Sequence, residues 1–158
     1  MKRDKYEAER CTEDGVFFTR GLVRGSKYSP DDPRGYYIAF NFNVLAIVYS
    51  LQGELDRSIK FHEQSLELFK VLNNKNKIAL VLYHLSSRYK LRGELERALE
   101  YMEQSMALYR ELGDLKEVAL NYDSFVEILI NRGDIERAQI SLHDLEQINN
   151  QLNDKQIN

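Results

Sequence analysis

Cysteine occurs once in this chain of 158 residues, at Cys11, so no internal disulfide can form. A lone thiol of this kind suits a reducing compartment, and the cytoplasm is the expected location. Proline occurs only at Pro30 and Pro33, and tryptophan is absent. Long apolar runs are missing as well. The longest strongly apolar stretch, Val44 to Val48, is far too short to span a bilayer. The opening Met1-Lys-Arg-Asp-Lys-Tyr-Glu7 is charged, so no secretory leader is expected there. Neither sign of charge dominates. A net charge of −3 lacks the basic excess of a general nucleic-acid binder, and none is expected as a partner, nor is a membrane. What is present, 43% apolar and 30% charged residues, is enough for one folded domain.

Glycine is sparse but regularly placed. Leu51-Gln-Gly-Glu-Leu-Asp-Arg-Ser58, Leu91-Arg-Gly-Glu-Leu-Glu-Arg-Ala98 and Asn131-Arg-Gly-Asp-Ile-Glu-Arg-Ala138 are one phrase at a spacing of 40 residues. A fixed period of this size predicts stacked supersecondary units. Laying residues 39–78 over 79–118 pairs Ala39 with Ala79, Leu45 with Leu85, Tyr49 with Tyr89 and Glu63-Gln-Ser65 with Glu103-Gln-Ser105. A third copy from Ala119 is weaker and has Leu129 where the tyrosine stood. Leu82, Leu85 and Tyr89 recur at steps of three and four, the spacing of one helix face. Leu95, Ala98, Leu99, Met102 and Met106 do so again after Gly93. The glycine marks a helix stop, where left-handed backbone costs no Cβ clash. Acidic residues follow it at once, as suits the positive end of a helix dipole.

The expected fold is all-α, with helix pairs near 39–52/54–72, 79–92/94–112 and 119–132/134–150. Leu45, Tyr49, Leu85, Tyr89, Ala98, Phe125, Leu129 and Ala138 are expected in the core. The expected domains are an irregular or degenerate half-repeat over 1–37, three repeats over 38–152 (39–78, 79–118, 119–152), and the start of a further repeat over 153–158. That last reading rests on Leu152-Asn-Asp-Lys155, which matches the breaks at Leu72-Asn-Asn-Lys75 and Leu112-Gly-Asp-Leu115. Ile135, Ala138, Leu142, Leu145 and Ile148 would form an apolar stripe on the last helix, open to a following repeat or to end-to-end self-association.

Leu85, Tyr89, Gly93 and Ala98 carry a more specific signature: a hydrophobe and an aromatic eight and four residues before a glycine, and a small residue five after it. Leu45, Tyr49, Gly53 and Ser58 repeat it. From about residue 38 to 152 the chain resembles a tetratricopeptide repeat array in a long, 40-residue variant. A HEAT-type repeat has an overlapping period but does not account for the glycine-to-alanine spacing. The resemblance implies a right-handed superhelical stack of antiparallel helix pairs and a non-catalytic protein-binding scaffold. The alternative is a regulatory or sensor segment of a larger transcription regulator or signalling enzyme.

No catalytic constellation is readable, and no catalytic residue, cofactor or metal is expected. Gly21-Leu-Val-Arg-Gly-Ser-Lys27 fails as a phosphate loop, because its glycines are too close and Ser precedes Lys. His62, His84 and His143 fall on three helices without metal-ligand spacing, so packing or surface roles are expected. Cys11 has no motif that would activate it. Arg57, Arg97 and Arg137 recur beside acidic neighbours and read as surface ion pairs. Ser65 and Ser105 read as small residues for helix packing. Tyr36, Tyr37, Phe40 and Phe42 fit either a cap on the first repeat or an exposed anchor.

The resemblance also implies a groove lined by the first helix of each pair. Its inward positions are Phe40, Asn43 and Ile47, then Tyr83, Ser87 and Lys90, then Asp123, Glu127 and Ile130. Family members that hold acidic chaperone tails use a Lys/Asn/Arg clamp at these positions. Only Asn43 keeps its slot, and Tyr83 and Asp123 replace the cations. An acidic tail is therefore not the expected ligand. A protein or peptide with an apolar part near Phe40 and Ile47, and a basic residue near Asp123 and Glu127, is.

Overall fold

The computed structural model describes residues 33–157, with side chains through residue 153. The readings made for Cys11, for Pro30 and for Gly21 to Lys27 lie outside the described residues. Six helices follow one another: α1 (Pro33–Leu51), α2 (Leu55–Val71), α3 (Lys75–Leu91), α4 (Leu95–Glu111), α5 (Leu115–Arg132) and α6 (Ile135–Ile157). No strand occurs among the described residues. α1 packs on α2, α3 on α4 and α5 on α6, while α2 against α3 and α4 against α5 join the pairs into an α-solenoid.

The turns after α1, α3 and α5 are built alike. Gly53, Gly93 and Gly133 take φ of +80°, +79° and +87°. The next residue's N–H reaches back to the last turn: Glu54 to Tyr49 O, Glu94 to Tyr89 O and Asp134 to Leu129 O, at 2.8–3.0 Å. These bonds satisfy carbonyls that the helix end would leave open.

Helices α3 and α5 start about one turn earlier than the expected 79 and 119, and α1 nearly two turns earlier than 39. Local chemistry explains this. Pro33 is the first residue of α1, where its fixed φ suits a helix and its missing N–H costs nothing. Asn74 and Asp114 cap α3 and α5 by accepting from Lys77 N and Glu117 N at 3.1 and 3.3 Å. At the other end, α6 runs through 152–155, where a break was expected. Asparagine does not by itself prevent the turn, since Asn73 makes it at the matching position with φ of +50°, but no helix follows among the described residues to fold back.

Small residues set how closely the helices of a pair cross. Ser58 Oγ on α2 donates to Ala46 O on α1 at 2.7 Å. In the next pair the partners are exchanged: Ser86 Oγ on α3 donates to Ala98 O on α4, also at 2.7 Å. Ser65 and Ser105 add more than small size. Each is buried and donates to the carbonyl of Ala39 or Ala79 at 2.8 Å.

The repeated arginines also have a role beyond surface pairing. Arg57 lies 5.4 Å from the Tyr49 ring centroid and Arg97 5.4 Å from that of Tyr89. Each thus clamps its second helix onto the tyrosine of the first. Ion pairs to Glu54 and Glu94 hold the guanidinium groups in place.

Leu85, Tyr89, Ala98, Phe125, Leu129 and Ala138 are buried as expected. Tyr49 is half-buried, and Leu45 is 38% exposed, contrary to the sequence reading. The reason is position: α3 has helices on both sides, whereas α1 packs mainly on α2 among the described residues. The aromatic cluster divides. Phe42 is buried and Tyr36 packs edge-on against Phe69 at 5.8 Å, while Tyr37 and Phe40 are exposed. The stripe on α6 divides as well. Leu142 and Ile135 are exposed, whereas Ala138 is buried and Leu145 and Ile148 pack partly against the core.

Candidate functional site

Helices α1, α3 and α5 are the first members of their pairs, and the face they carry is the candidate binding groove. α3 and α5 touch directly. Lys90 Nζ on α3 donates to Glu127 Oε2 on α5 at 2.5 Å, so the pair spans the seam between them. Glu127, expected to await a basic ligand, thus already has one cation. Asp123 lies one turn earlier on the same helix face, is exposed, and forms no ion pair within 4 Å among the described residues. Tyr83 and Ser87 are half-buried, and Ile130 is exposed at the end of α5.

On α1 the expected trio separates. Asn43 is only 6% exposed, and its Oδ1 has no hydrogen-bond partner. It falls at helical spacing between Ala39 and Ala46, both fully buried, so it faces α2 and is closed to a ligand. Phe40 and Ile47 are exposed as the groove requires. They belong to a longer apolar stripe that also takes in Val44 and Leu51 at steps of four and three. The sequence reading missed those two, although their spacing was visible.

It also missed the polar group beside the groove. Arg88 is half-buried on α3, its Nη2 donates to Ser87 Oγ at 3.4 Å, and its Nε is buried without an acceptor. Burial holds its pKa below the ordinary value, against the nearby Tyr83 phenol, which raises it. Among the described residues no carboxylate forms an ion pair with it. One turn away, His84 stacks on His62 of α2 with ring centroids 5.1 Å apart. His62 is fully buried and neither ring nitrogen has a partner. Desolvation lowers its pKa to about 3, helped by the charges of His84 and Arg88. Desolvation and then Arg88 lower His84 to about 4. Both rings are neutral at pH 7, and they pack rather than titrate. His143 is exposed, with Nε2 3.0 Å from Gln147 Nε2. Among the described residues, no group of three or more His, Cys, Asp or Glu side chains is placed to hold a metal.

The candidate face therefore carries exposed apolar residues on α1, the Lys90–Glu127 pair between α3 and α5 with Arg88 beside it, and the exposed carboxylate of Asp123. It offers no nucleophile paired with a base.

Residues 37–111 match the family model described as tetratricopeptide repeat. No curated protein matches the sequence. Among solved structures, BtubC (BKLC) from P. vanneervenii superposes with a TM-score of 0.69 at 20% identity, over 73% of this chain and 48% of that one. The TPR domain of Arabidopsis FLU superposes with a TM-score of 0.67 at 13% identity, over 72% of this chain and 95% of that one. The chain spans about half the length of the BtubC structure. At these identities the likeness is one of fold. Stacked helical repeats of this kind are protein–protein interaction scaffolds, and generally not catalysts. No helix among the described residues is long and apolar enough to cross a membrane.

Proposed function

We propose that this chain, whose residues 37–111 match the tetratricopeptide repeat model, is a member of that family and a non-catalytic scaffold that holds a partner peptide along α1, α3 and α5. The observation that carries this reading is the exposed apolar stripe of Phe40, Val44, Ile47 and Leu51 in the same series of first helices as the unpaired Asp123. A peptide whose apolar side chains cover the stripe gains about 25 cal/mol per Å² of apolar surface removed from water. Its specificity comes from a Lys or Arg placed at Asp123. The reducing setting implied by a single cysteine suits a cytoplasmic partner.

The test is titration of a library of apolar-basic peptides against the wild-type chain, Asp123→Asn and Phe40→Ala. Asp123→Asn should weaken binding of peptides with a basic residue several-fold and leave their neutral analogues unchanged. Phe40→Ala should weaken both. Glu127→Gln should matter less, because Lys90 already neutralises Glu127. Equal binding by all variants, or tight binding of an acidic C-terminal peptide, would show the groove reading to be wrong.

A further inference from the structure

The first two repeats place an aromatic pair at one spot, and the third loses it. Tyr49 on α1 stacks on Phe61 of α2 with centroids 5.2 Å apart and planes 2° from parallel. At the matching positions, Tyr89 on α3 stacks on Tyr101 of α4 at 5.3 Å. The third repeat has Leu129 and Ser141 there. Neither supplies a ring, and a pocket of about 400 Å³ lies at Ser141, open on one side between α4, α5 and α6. Sites for small ligands start at about 300 Å³.

The walls match the environment that the rings have in the earlier repeats. Met106, Phe125 and Ile140 give apolar surface. Glu103 on α4 is the counterpart of Glu63 on α2, and Glu63 Oε1 accepts from Tyr89 Oη of the following pair at 3.2 Å. With leucine at 129, Glu103 accepts from Arg137 Nη2 instead, at 2.7 Å. Both side chains are about half exposed, so this pair is weak and can rearrange. Arg137 lies 5.9 Å from the Phe125 centroid, whereas Arg57 and Arg97 lie over the repeat tyrosines. The arginine clamp and the phenol acceptor both persist in a repeat that has lost its phenol.

We propose that the pocket between α4, α5 and α6 receives the tyrosine side chain of a partner peptide, in the place that Phe61 and Tyr101 hold in the preceding repeats. The ring packs on Met106, Phe125 and Ile140 beneath the Arg137 guanidinium, and the hydroxyl donates to Glu103. A leucine fills volume but gives the arginine no π face. An aspartate is too short to bring apolar surface to Met106, Phe125 and Ile140, and the arginines of the lining, Arg110 and Arg137, stand beside two carboxylates of their own, Glu103 and Asp144. None of the lining residues belongs to the α1–α3–α5 groove, so the two sites stand or fall separately.

The experiment is a titration of the isotope-labelled full chain by NMR with acetyl-Gly-Gly-Tyr-Gly-Gly-amide and its Phe, Leu and Asp analogues. The tyrosine peptide should give saturable shifts at Met106, Phe125 and Ser141. The phenylalanine peptide should bind a few-fold more weakly, and the leucine and aspartate peptides roughly tenfold more weakly or not at all. Ser141→Tyr restores the residue found at 101 and should reduce peptide binding at least roughly tenfold by filling the site. Ile140→Glu restores the residue found at 100 and serves if the first variant does not fold. Asp123→Asn should leave these shifts unchanged, which separates this site from the groove. Absence of saturable shifts at the three residues overturns the proposal. So does wild-type affinity in both pocket variants, or equal binding of the tyrosine and leucine peptides.

Discussion

Helices α1 and α3 hold the same place in their repeats and share Ala39/Ala79, Leu45/Leu85 and Tyr49/Tyr89, yet they sit differently. α3 lies between α2 and α4; α1 packs mainly on α2 among the described residues. Leu85 is fully buried and Leu45 is 38% exposed. Tyr89 is buried and Tyr49 half-buried. His84 is covered by the His62 ring, while its counterpart on α1, Val44, is exposed. A repeated residue thus specifies a direction on its helix, and the neighbouring pair decides whether that direction leads inward. The exposed face of α1 is a result of stacking order as much as of its own residues.

The sharpest way to break this comparison is to truncate the matched leucines. Leu85→Ala should lose about 2–5 kcal/mol, because transfer and cavity costs add in a closed core. Leu45→Ala should lose under about 1 kcal/mol, since its side chain is already part-hydrated. Urea unfolding of the two variants measures both, and equal losses would mean that α1 is as enclosed as α3. Acid probes the seam between α2 and α3, which has no counterpart at α1 among the described residues. The folded pKa values of His62 and His84, about 3 and about 4, lie below the ordinary 6.5. The unfolded chain therefore takes up protons first, and stability falls as pH drops below about 6.5 toward those values. By pH 5 the loss should be on the order of 2 kcal/mol for each of the two histidines. Thermal melting across that range checks it, and His84→Val, which installs the residue α1 has at this position, should flatten part of the slope. The smallest expected effect sharpens the comparison from the other side. Gly53 and Gly93 have the same left-handed φ, and a Cβ at either would meet no atom within 4 Å. Alanine at each should cost about 1 kcal/mol of backbone strain, and the two costs should be equal. Turn energetics are local, so they should not register the difference that the leucines do.

The same division separates what the sequence revealed from what it hid. Helix number and the glycine turns were legible because periodicity and turn chemistry act within a few residues. The early starts of α3 and α5 were legible in principle, through Asn74 and Asp114 as caps. The burial of Asn43, the Lys90–Glu127 pair, the His62–His84 stack and the pocket at Ser141 were not. Each depends on how one helix lies against another far along the chain, and no spacing rule carries that distance. The arginines show the boundary well. Their recurrence was visible, but reading them as clamps on Tyr49 and Tyr89 required knowing what lay beneath the guanidinium.

The exchanged serines carry one more consequence. At the crossing of α1 and α2 the hydroxyl comes from Ser58 and the small partner is Ala46. At the crossing of α3 and α4 the hydroxyl comes from Ser86 and the partner is Ala98. Compared column by column, these positions disagree twice. Compared as joints, they are the same component mounted from opposite sides: one methyl, one hydroxyl and one borrowed carbonyl. The repeat is thus copied at the level of the joint rather than the letter. Two such arrays can share every joint while their aligned sequences drift toward chance.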